Sequence, residues 1–146
     1  LRKIRHCSID DYFFGGTKDW QRFILDHYEN FYCAYFATRK IRGAAALADC
    51  SSSEILTKAR MGASQLNRIY SIESLGTLES DLHQLTGKKA ALSNTRINAG
   101  PGSTNTKRWP LLLDRIESDA NRQKLADFAA LDVELMGTLV QNGLMQ

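Results

Sequence analysis

Histidines and cysteines are the residues of this chain that could support metal binding or nucleophilic catalysis. Their spacing matches no metal-ligand pattern such as HExxH or paired CxxC, and no nucleophile motif. Three irregularly spaced cysteines form no disulfide framework, so we expect reduced thiols, with Cys33 as a small buried side chain among aromatic residues. The residues concerned are His6, His27, His83, Cys7, Cys33 and Cys50. We therefore predict no enzymatic activity, no metal and no cofactor.

Two pairs of acids could contribute to a divalent-metal site. Asp10 and Asp11 are adjacent, and Asp114 lies three residues before Glu117. A hard cation takes several oxygen ligands, so these pairs could bind one only if the fold brought further carboxylates to them. The sequence alone does not predict such a site.

Positive charge is concentrated in the middle of the chain. Between Arg39 and Arg108 eleven Lys or Arg residues accompany five acids, which gives a net charge of +6. From Trp109 to Gln146 three cations accompany six acids, which gives a net charge of −3. A chain that is basic in its middle and acidic at its C-terminal end is typical of a protein with one surface that faces phosphate and another that faces a partner. Solvated helix faces give smaller versions of the same charge asymmetry.

The segment from residue 92 to residue 108 is predicted to be a long loop rich in Gly, Ser, Thr and Asn. It carries no acid and ends in two cations beside Trp109. Flexible backbone could direct N–H groups at a phosphate, while Arg96, Lys107 and Arg108 supply charge and Trp109 supplies a stacking face. No Gly-Lys-Ser/Thr closes the loop, so it is not a Walker loop. A surface connector without a ligand is the alternative.

Helical periodicity dominates the rest of the chain. Aromatic residues recur every three or four positions after Thr17 and predict one long helix to about Thr38. A small-residue helix is expected over 39–50. The acidic tail is predicted to form a helix over 111–118 and a longer one over 121–141.

Capping signals divide residues 51–87 into three short helices. Ser51 to Glu54 has the spacing of a capping box and predicts a helix from Ser52 to about Arg60. Ser64 can cap a helix through about Glu73, and a third helix is expected to begin at residues 76–77 and close at residues 86–87.

The stretch ILTKARMGASQLNRIY, residues 55–70, resembles the helix-turn-helix of phage repressors of the lambda and Cro type. Residues 77–87 resemble the helix that follows in that family. The resemblance implies a recognition helix that enters the major groove, with Leu66 and Ile69 directed inward. A second resemblance, to the small all-helical subunits of RNA-guided CRISPR effector complexes, depends on SQL and RIY within the same stretch.

We therefore predict an all-α, compact bundle of about five to seven helices with a helix-turn-helix in its middle. Residues 1–146 are expected to form one domain, in which residues 1–16 are extended or flexible. Hydrophobic content of 43% and charged content of 24% are typical of globular chains. No apolar run approaches the length of a membrane span and no secretory signal is apparent, so we expect a cytoplasmic protein.

The predicted function is nucleic-acid binding, as a DNA-binding regulator or an RNA-binding protein. The alternative is a helical adaptor, or a subunit of a larger assembly such as a ribonucleoprotein, that binds another protein through its acidic C-terminal helix. A homodimer or a larger complex is compatible with both hypotheses. The residues predicted to contact nucleic acid are Arg60, Ser64, Gln65, Asn67, Arg68, Arg96, Lys107, Arg108 and Trp109.

Overall fold

The computed structural model describes residues 7–94 and 108–145 of the chain. Within these ranges the prediction of an all-α fold is confirmed, because the described residues form eight α-helices, two 3₁₀ turns and no strand. The 3₁₀ turns are Ala44–Leu47 and Ile72–Ser74. The helices are α1 (Ile9–Phe14), α2 (Lys18–Tyr28), α3 (Phe31–Thr38), α4 (Ser52–Ala63), α5 (Leu75–Thr86), α6 (Arg108–Leu113), α7 (Asp119–Asp127) and α8 (Ala130–Gln141).

Two helices that the sequence predicted as continuous are each broken once. The aromatic helix stops at Tyr28 and restarts as α3, because Asn30 adopts a left-handed conformation with φ 44°. The N–H of Asn30 donates to the carbonyl oxygen of Phe128 at 2.5 Å, where the C-terminal helix is itself broken between α7 and α8. The two breaks therefore occur at one contact, and neither has a local sequence signal.

Two further predictions about the elements were wrong. Residues 39–50 form only the short 3₁₀ turn, because Arg39 ends α3 in the left-handed region with φ 59°. Of residues 1–16, which were expected to be extended or flexible, residues 1–6 lie outside the described residues, but residues 9–14 form α1, and Ser8 caps it by accepting a hydrogen bond from the N–H of Asp11. The carboxylate of Asp10 accepts hydrogen bonds from the N–H of Glu117 at 2.9 Å and the Nδ2 of Asn121 at 2.6 Å. This contact attaches α1 to α7, and the same hydrogen bonds lower the pKa of Asp10.

An aromatic cluster joins α1 to α2. The indole Nε1 of Trp20 donates to the carbonyl oxygen of Tyr12 at 2.8 Å, and the Tyr12 and Tyr28 hydroxyls lie 2.9 Å apart. The Tyr12 ring makes edge-on contacts with the rings of both residues. Burial and the contact with Tyr28 raise the pKa of Tyr12 to about 12. Several of the aromatic residues that predicted the long helix therefore pack against one another within the protein.

The hydrophobic core lies between α3, α4 and α8. Small side chains on α4 allow a close approach to α3, and a Cβ atom at Gly62 would lie only 1.9 Å from the carbonyl oxygen of Phe36. Helix α8 supplies large aliphatic side chains to the opposite side. The buried cluster consists of Cys33, Phe36, Leu56, Ala59, Ala63, Leu135 and Leu139.

The N-termini of α3 and α8 cap each other. The buried carboxylate of Asp132, in the first turn of α8, accepts hydrogen bonds from the N–H groups of Tyr32 at 3.0 Å and Cys33 at 2.8 Å. The side-chain oxygen of Asn30 in turn accepts a hydrogen bond from the N–H of Leu131 at 2.9 Å. Helix N-termini have unpaired N–H groups and a positive dipole end, so this arrangement stabilises a carboxylate that burial would otherwise disfavour.

We expect Asp132→Ala to lower the free energy of unfolding by about 2–4 kcal/mol, because it leaves two buried N–H groups without an acceptor. Asp132→Asn keeps one acceptor and should cost about half as much. Urea denaturation followed by circular dichroism measures both effects. Asp127→Ala, which removes an exposed acid near the end of α7, is the matched control and should change stability by less than about 0.5 kcal/mol. Equal losses for Asp132→Ala and Asp127→Ala would contradict this role.

Candidate functional site

The predicted helix-turn-helix is only partly present. Helix α4 begins with the expected capping box: Ser51 accepts from the N–H of Glu54, and the Glu54 carboxylate accepts from the N–H of Ser51 at 2.7 Å. Helix α5 ends at Gly87, with φ 69°, as predicted. The prediction of a helix from Ser64 to Glu73 was wrong. The chain turns after α4 and forms no helix before the 3₁₀ turn that precedes α5.

The C-terminal end of the described chain explains this difference. The N–H of Ile69 donates to the carbonyl oxygen of Leu144 at 2.9 Å, and Ile69 forms a parallel bridge with Met145. Gly143, with φ 67°, turns the chain after α8, and the N–H of Leu144 returns to the carbonyl oxygen of Leu139. Ile69 and Met145 both pack against the core. Pairing with the distant end of the chain thus replaces helical hydrogen bonds in this segment.

The residues predicted to read bases do not lie on a helix. Ser64, Gln65 and Asn67 are exposed on the turn after α4, and the Ser64 hydroxyl donates to the carbonyl oxygen of Met61. Arg68 forms a salt bridge with Asp81 of α5 at 2.5 Å, and the hydroxyl of Tyr70 donates to the same carboxylate oxygen. The hydrogen bond from Tyr70, together with Arg68, lowers the pKa of Asp81. The second helix on which the repressor resemblance depends is therefore not formed.

Arg60 connects two helices of the core. Its guanidinium donates from Nη2 to Glu134 at 3.0 Å and to the hydroxyl of Thr138 at 3.4 Å, both on α8. The side chain is 42% exposed, so part of it remains accessible to solvent. Arg60 thus contributes to the packing of α4 against α8 in addition to any contact it makes outside the molecule.

The predicted loop ligands fall largely beyond the described ranges. Arg96 and Lys107 lie outside the described residues, and so does the side chain of Arg108, although its backbone begins α6. Trp109 follows in the first turn of α6 and is 46% exposed. Their common role in phosphate binding stays a prediction.

A groove of about 470 Å³ separates α5 from the segment that precedes it. We call it the α5 groove. Leucines of α5 form one wall, while Leu66 and Tyr70 form the other, and the Arg68–Asp81 salt bridge lies between them. Leu66, which was predicted to point inward, is 36% exposed. The lining residues are Leu66, Asn67, Arg68, Tyr70, Leu78, Asp81, Leu82, Gln84 and Leu85.

Residues 39–42, which we call the basic tip, project where α3 and α4 end. The guanidinium of Arg39 donates to the carbonyl oxygen of Gly62 in the last turn of α4. Lys40 and Arg42 are exposed and form no salt bridge within the described residues, and Ile41 between them is 68% exposed. Cations near helix C-termini stabilise the negative ends of the helix dipoles. The charge of the basic tip therefore has a structural role that needs no phosphate.

Helix α8 is apolar on its outer face as well as on the inner face that packs in the core. This outer face consists of Ala130, Val133, Gly137 and Val140, spaced three, four and three residues apart. Val133 is 69% exposed and Val140 is 57% exposed, while a Cβ built at Gly137 would meet no described residue within 4 Å apart from its chain neighbours and the backbone of α8 itself. The periodicity of the sequence predicts only the opposite apolar stripe, which consists of Leu125, Phe128, Leu131, Leu135, Met136 and Leu139. The alternation of valine with small residues on the remaining face was the missed signal.

The described residues contain no group of three or more His, Cys, Asp or Glu side chains that could hold a metal ion. Of the two acid pairs noted in the sequence, Asp10 instead accepts hydrogen bonds from Glu117 and from Asn121 of α7. The thiol of Cys33 is fully buried, and burial, followed by the hydrogen-bonded Asp132 carboxylate, raises its pKa. Such a thiol is protonated at neutral pH and is a poor nucleophile.

No family model matches the chain, and comparison with curated proteins and with solved structures finds no similar protein. None of the helices in residues 7–94 and 108–145 is both long enough and apolar enough to cross a bilayer. Arguments about function therefore depend on the surfaces themselves.

We expect two of the three thiols to react rapidly with Ellman's reagent in the folded protein. Cys7 is exposed, and Cys50 is partly exposed with the Lys58 ammonium 3.0 Å from its sulfur. Cys33 should react only when urea unfolds the chain, because its thiol is buried and protonated. Cys33→Ala should leave the number of rapidly reacting thiols at two. Rapid reaction of all three thiols would show that the core opens readily.

Proposed function

We propose that this protein is a helical adaptor that binds a partner protein through the outer face of α8. The observation that carries the proposal is the apolar character of α8 on both sides. Its inner side places Leu135 and Leu139 in the core, while Val133 and Val140 project away from it. A helix with apolar residues on two opposite sides is normally covered on both. A second helix that packs on the outer face would complete the burial of α8.

The geometry of the outer face suits a helix as the partner. Ala130 and Gly137 have little or no side chain, so the backbone of a docked helix could approach closely between the two valines. Asp127 precedes the face at the end of α7 and is exposed, and Glu134 flanks the face and remains 56% exposed beside its salt bridge with Arg60. The complementary partner is an amphipathic helix whose apolar side is bordered by Lys or Arg.

Nucleic-acid binding is the second candidate, favoured by the basic tip. Lys40 and Arg42 are exposed there without acidic partners among the described residues. The adaptor takes precedence because Arg60 and Arg68, two of the predicted nucleic-acid ligands, form salt bridges within the chain. The basic tip also lies at the negative ends of two helices, which weakens its attraction for phosphate.

Photo-crosslinking from α8 tests the adaptor. With a benzophenone side chain in place of Val133, we expect one discrete crosslinked protein in extracts of the source cells. The Gly137→Trp variant of the same protein should lose at least 90% of that product, because a bulky side chain blocks close approach. The matched control carries the benzophenone at Tyr32, an exposed position on α3, and should not yield the same product. A product unaffected by Gly137→Trp, or formed equally from both positions, argues against the adaptor.

Fluorescence polarisation tests the second candidate with labelled duplex DNA, single-stranded DNA and RNA at low and moderate salt. If the basic tip binds phosphate, affinity falls by at least tenfold between about 50 and 200 mM salt. Lys40→Ala/Arg42→Ala should lose that binding. Lys18→Ala/Arg22→Ala removes the same amount of charge from α2 and should retain nucleic-acid binding. No binding at low salt, or equal loss in both variants, rules out the basic tip as a nucleic-acid site.

A further inference from the structure

Helix α5 carries four leucines with the spacing of a coiled-coil seam. Leu75, Leu78, Leu82 and Leu85 are spaced three, four and three residues apart, which corresponds to positions a, d, a and d of two heptads. None of the residues of α5 is fully buried: Leu75, Leu78 and Leu82 are half-buried, and Leu85 is 82% exposed. A helix of twelve residues is marginal in water without tertiary packing. The leucine seam of α5 is therefore incomplete within a single chain.

We propose that the seam is completed by a second copy of this chain, with the two α5 helices paired antiparallel. In this register Leu78 lies beside Leu82 of the second copy, and Leu75 lies beside Leu85. Each a position then meets a d position, which is how antiparallel helices interdigitate their side chains. The contact is two-fold symmetric, so each copy presents the same leucines to the other and the assembly closes at two.

Charge at the two ends of α5 favours the antiparallel orientation. Glu73 lies just before the helix and Lys88 and Lys89 follow it, and all three are exposed. Antiparallel pairing brings the lysines of each copy to Glu73 of the other, whereas parallel pairing would place lysine against lysine. Between the ends, Asp81 is already neutralised by Arg68 of its own chain.

The α5 groove adds a second contact area to the seam. Leu66 and Tyr70 line the groove wall that faces the leucines of α5. The α5 helix of a second copy would pack along this wall as well as on the leucines. The contact is short, and the Glu79 side chains of both copies lie near its centre, so we expect a dissociation constant in the micromolar range. This interface uses no residue of α8 and is independent of the proposed adaptor surface.

Sedimentation equilibrium of the full chain between about 5 and 200 µM tests the dimer, and we expect the mass to rise from one copy to two over this range. Leu82→Glu should weaken association at least tenfold. Val133→Glu, a matched change at an exposed position of α8, should not weaken it. Circular dichroism establishes that both variants fold. A single copy at every concentration, or equal effects of the two changes, would overturn the proposal.

A charge exchange tests the orientation without altering the leucines. Lys88→Glu/Lys89→Glu should weaken the dimer at least threefold, because these residues then face Glu73 of the other copy. Adding Glu73→Lys should restore at least half of the lost affinity. Failure of this rescue in a folded triple variant would contradict the antiparallel pairing. Loss of dimerisation here would leave crosslinking from α8 unchanged, so the two proposals fail separately.

Discussion

The carboxylate of Asp132 is buried between helices that lie a hundred residues apart in the sequence. It is the acceptor for the first turn of α3 and at the same time belongs to the first turn of α8. A charge at this depth is tolerable only where several N–H groups and two positive dipole ends converge. The carboxylate therefore requires both helix starts to be present, and each helix start requires the carboxylate. The breaks at Asn30 and before Ala130 follow from this requirement, since the chain must restart two helices at one point.

Local signals in the sequence predicted the helices that depend on local chemistry. The capping box of Ser51 and Glu54 and the glycine at position 87 correctly gave the start of α4 and the end of α5, because both motifs use residues within one turn of the boundary. Helical periodicity correctly predicted an all-α fold. Periodicity could not reveal the break at Asn30, because the hydrogen bonds that stabilise it join Asn30 to Phe128 and Leu131, about a hundred residues away in the sequence.

The segment after α4 shows the same limitation at the candidate site. Ser64 to Tyr70 has adequate helix propensity and a capping residue, but Ile69 is paired with Leu144 and its side chain packs on the core. Tertiary pairing of this kind overrides a weak local preference. The sequence shows the positive charges of Arg60 and Arg68. It could not show that each forms a salt bridge within the chain, with Glu134 and Asp81 respectively. The sequence pattern did not predict the apolar outer face of α8, because the apolar residues on its core-facing side already accounted for the helical periodicity.

The pairing of Ile69 with Leu144 also has a consequence for how the molecule assembles. The segment before α5 is joined to the C-terminal end of the described chain by the hydrogen bond from Ile69 to Leu144, and α5 buries none of its own residues. The contact that positions it lies a few residues beyond the C-terminal ends of α4 and α8, so most of the entropy of closing this loop is already lost when those two helices pack. The α3–α4–α8 core can thus form first, and we expect α5 with its groove to unfold locally as a separate cooperative unit while that core stays folded.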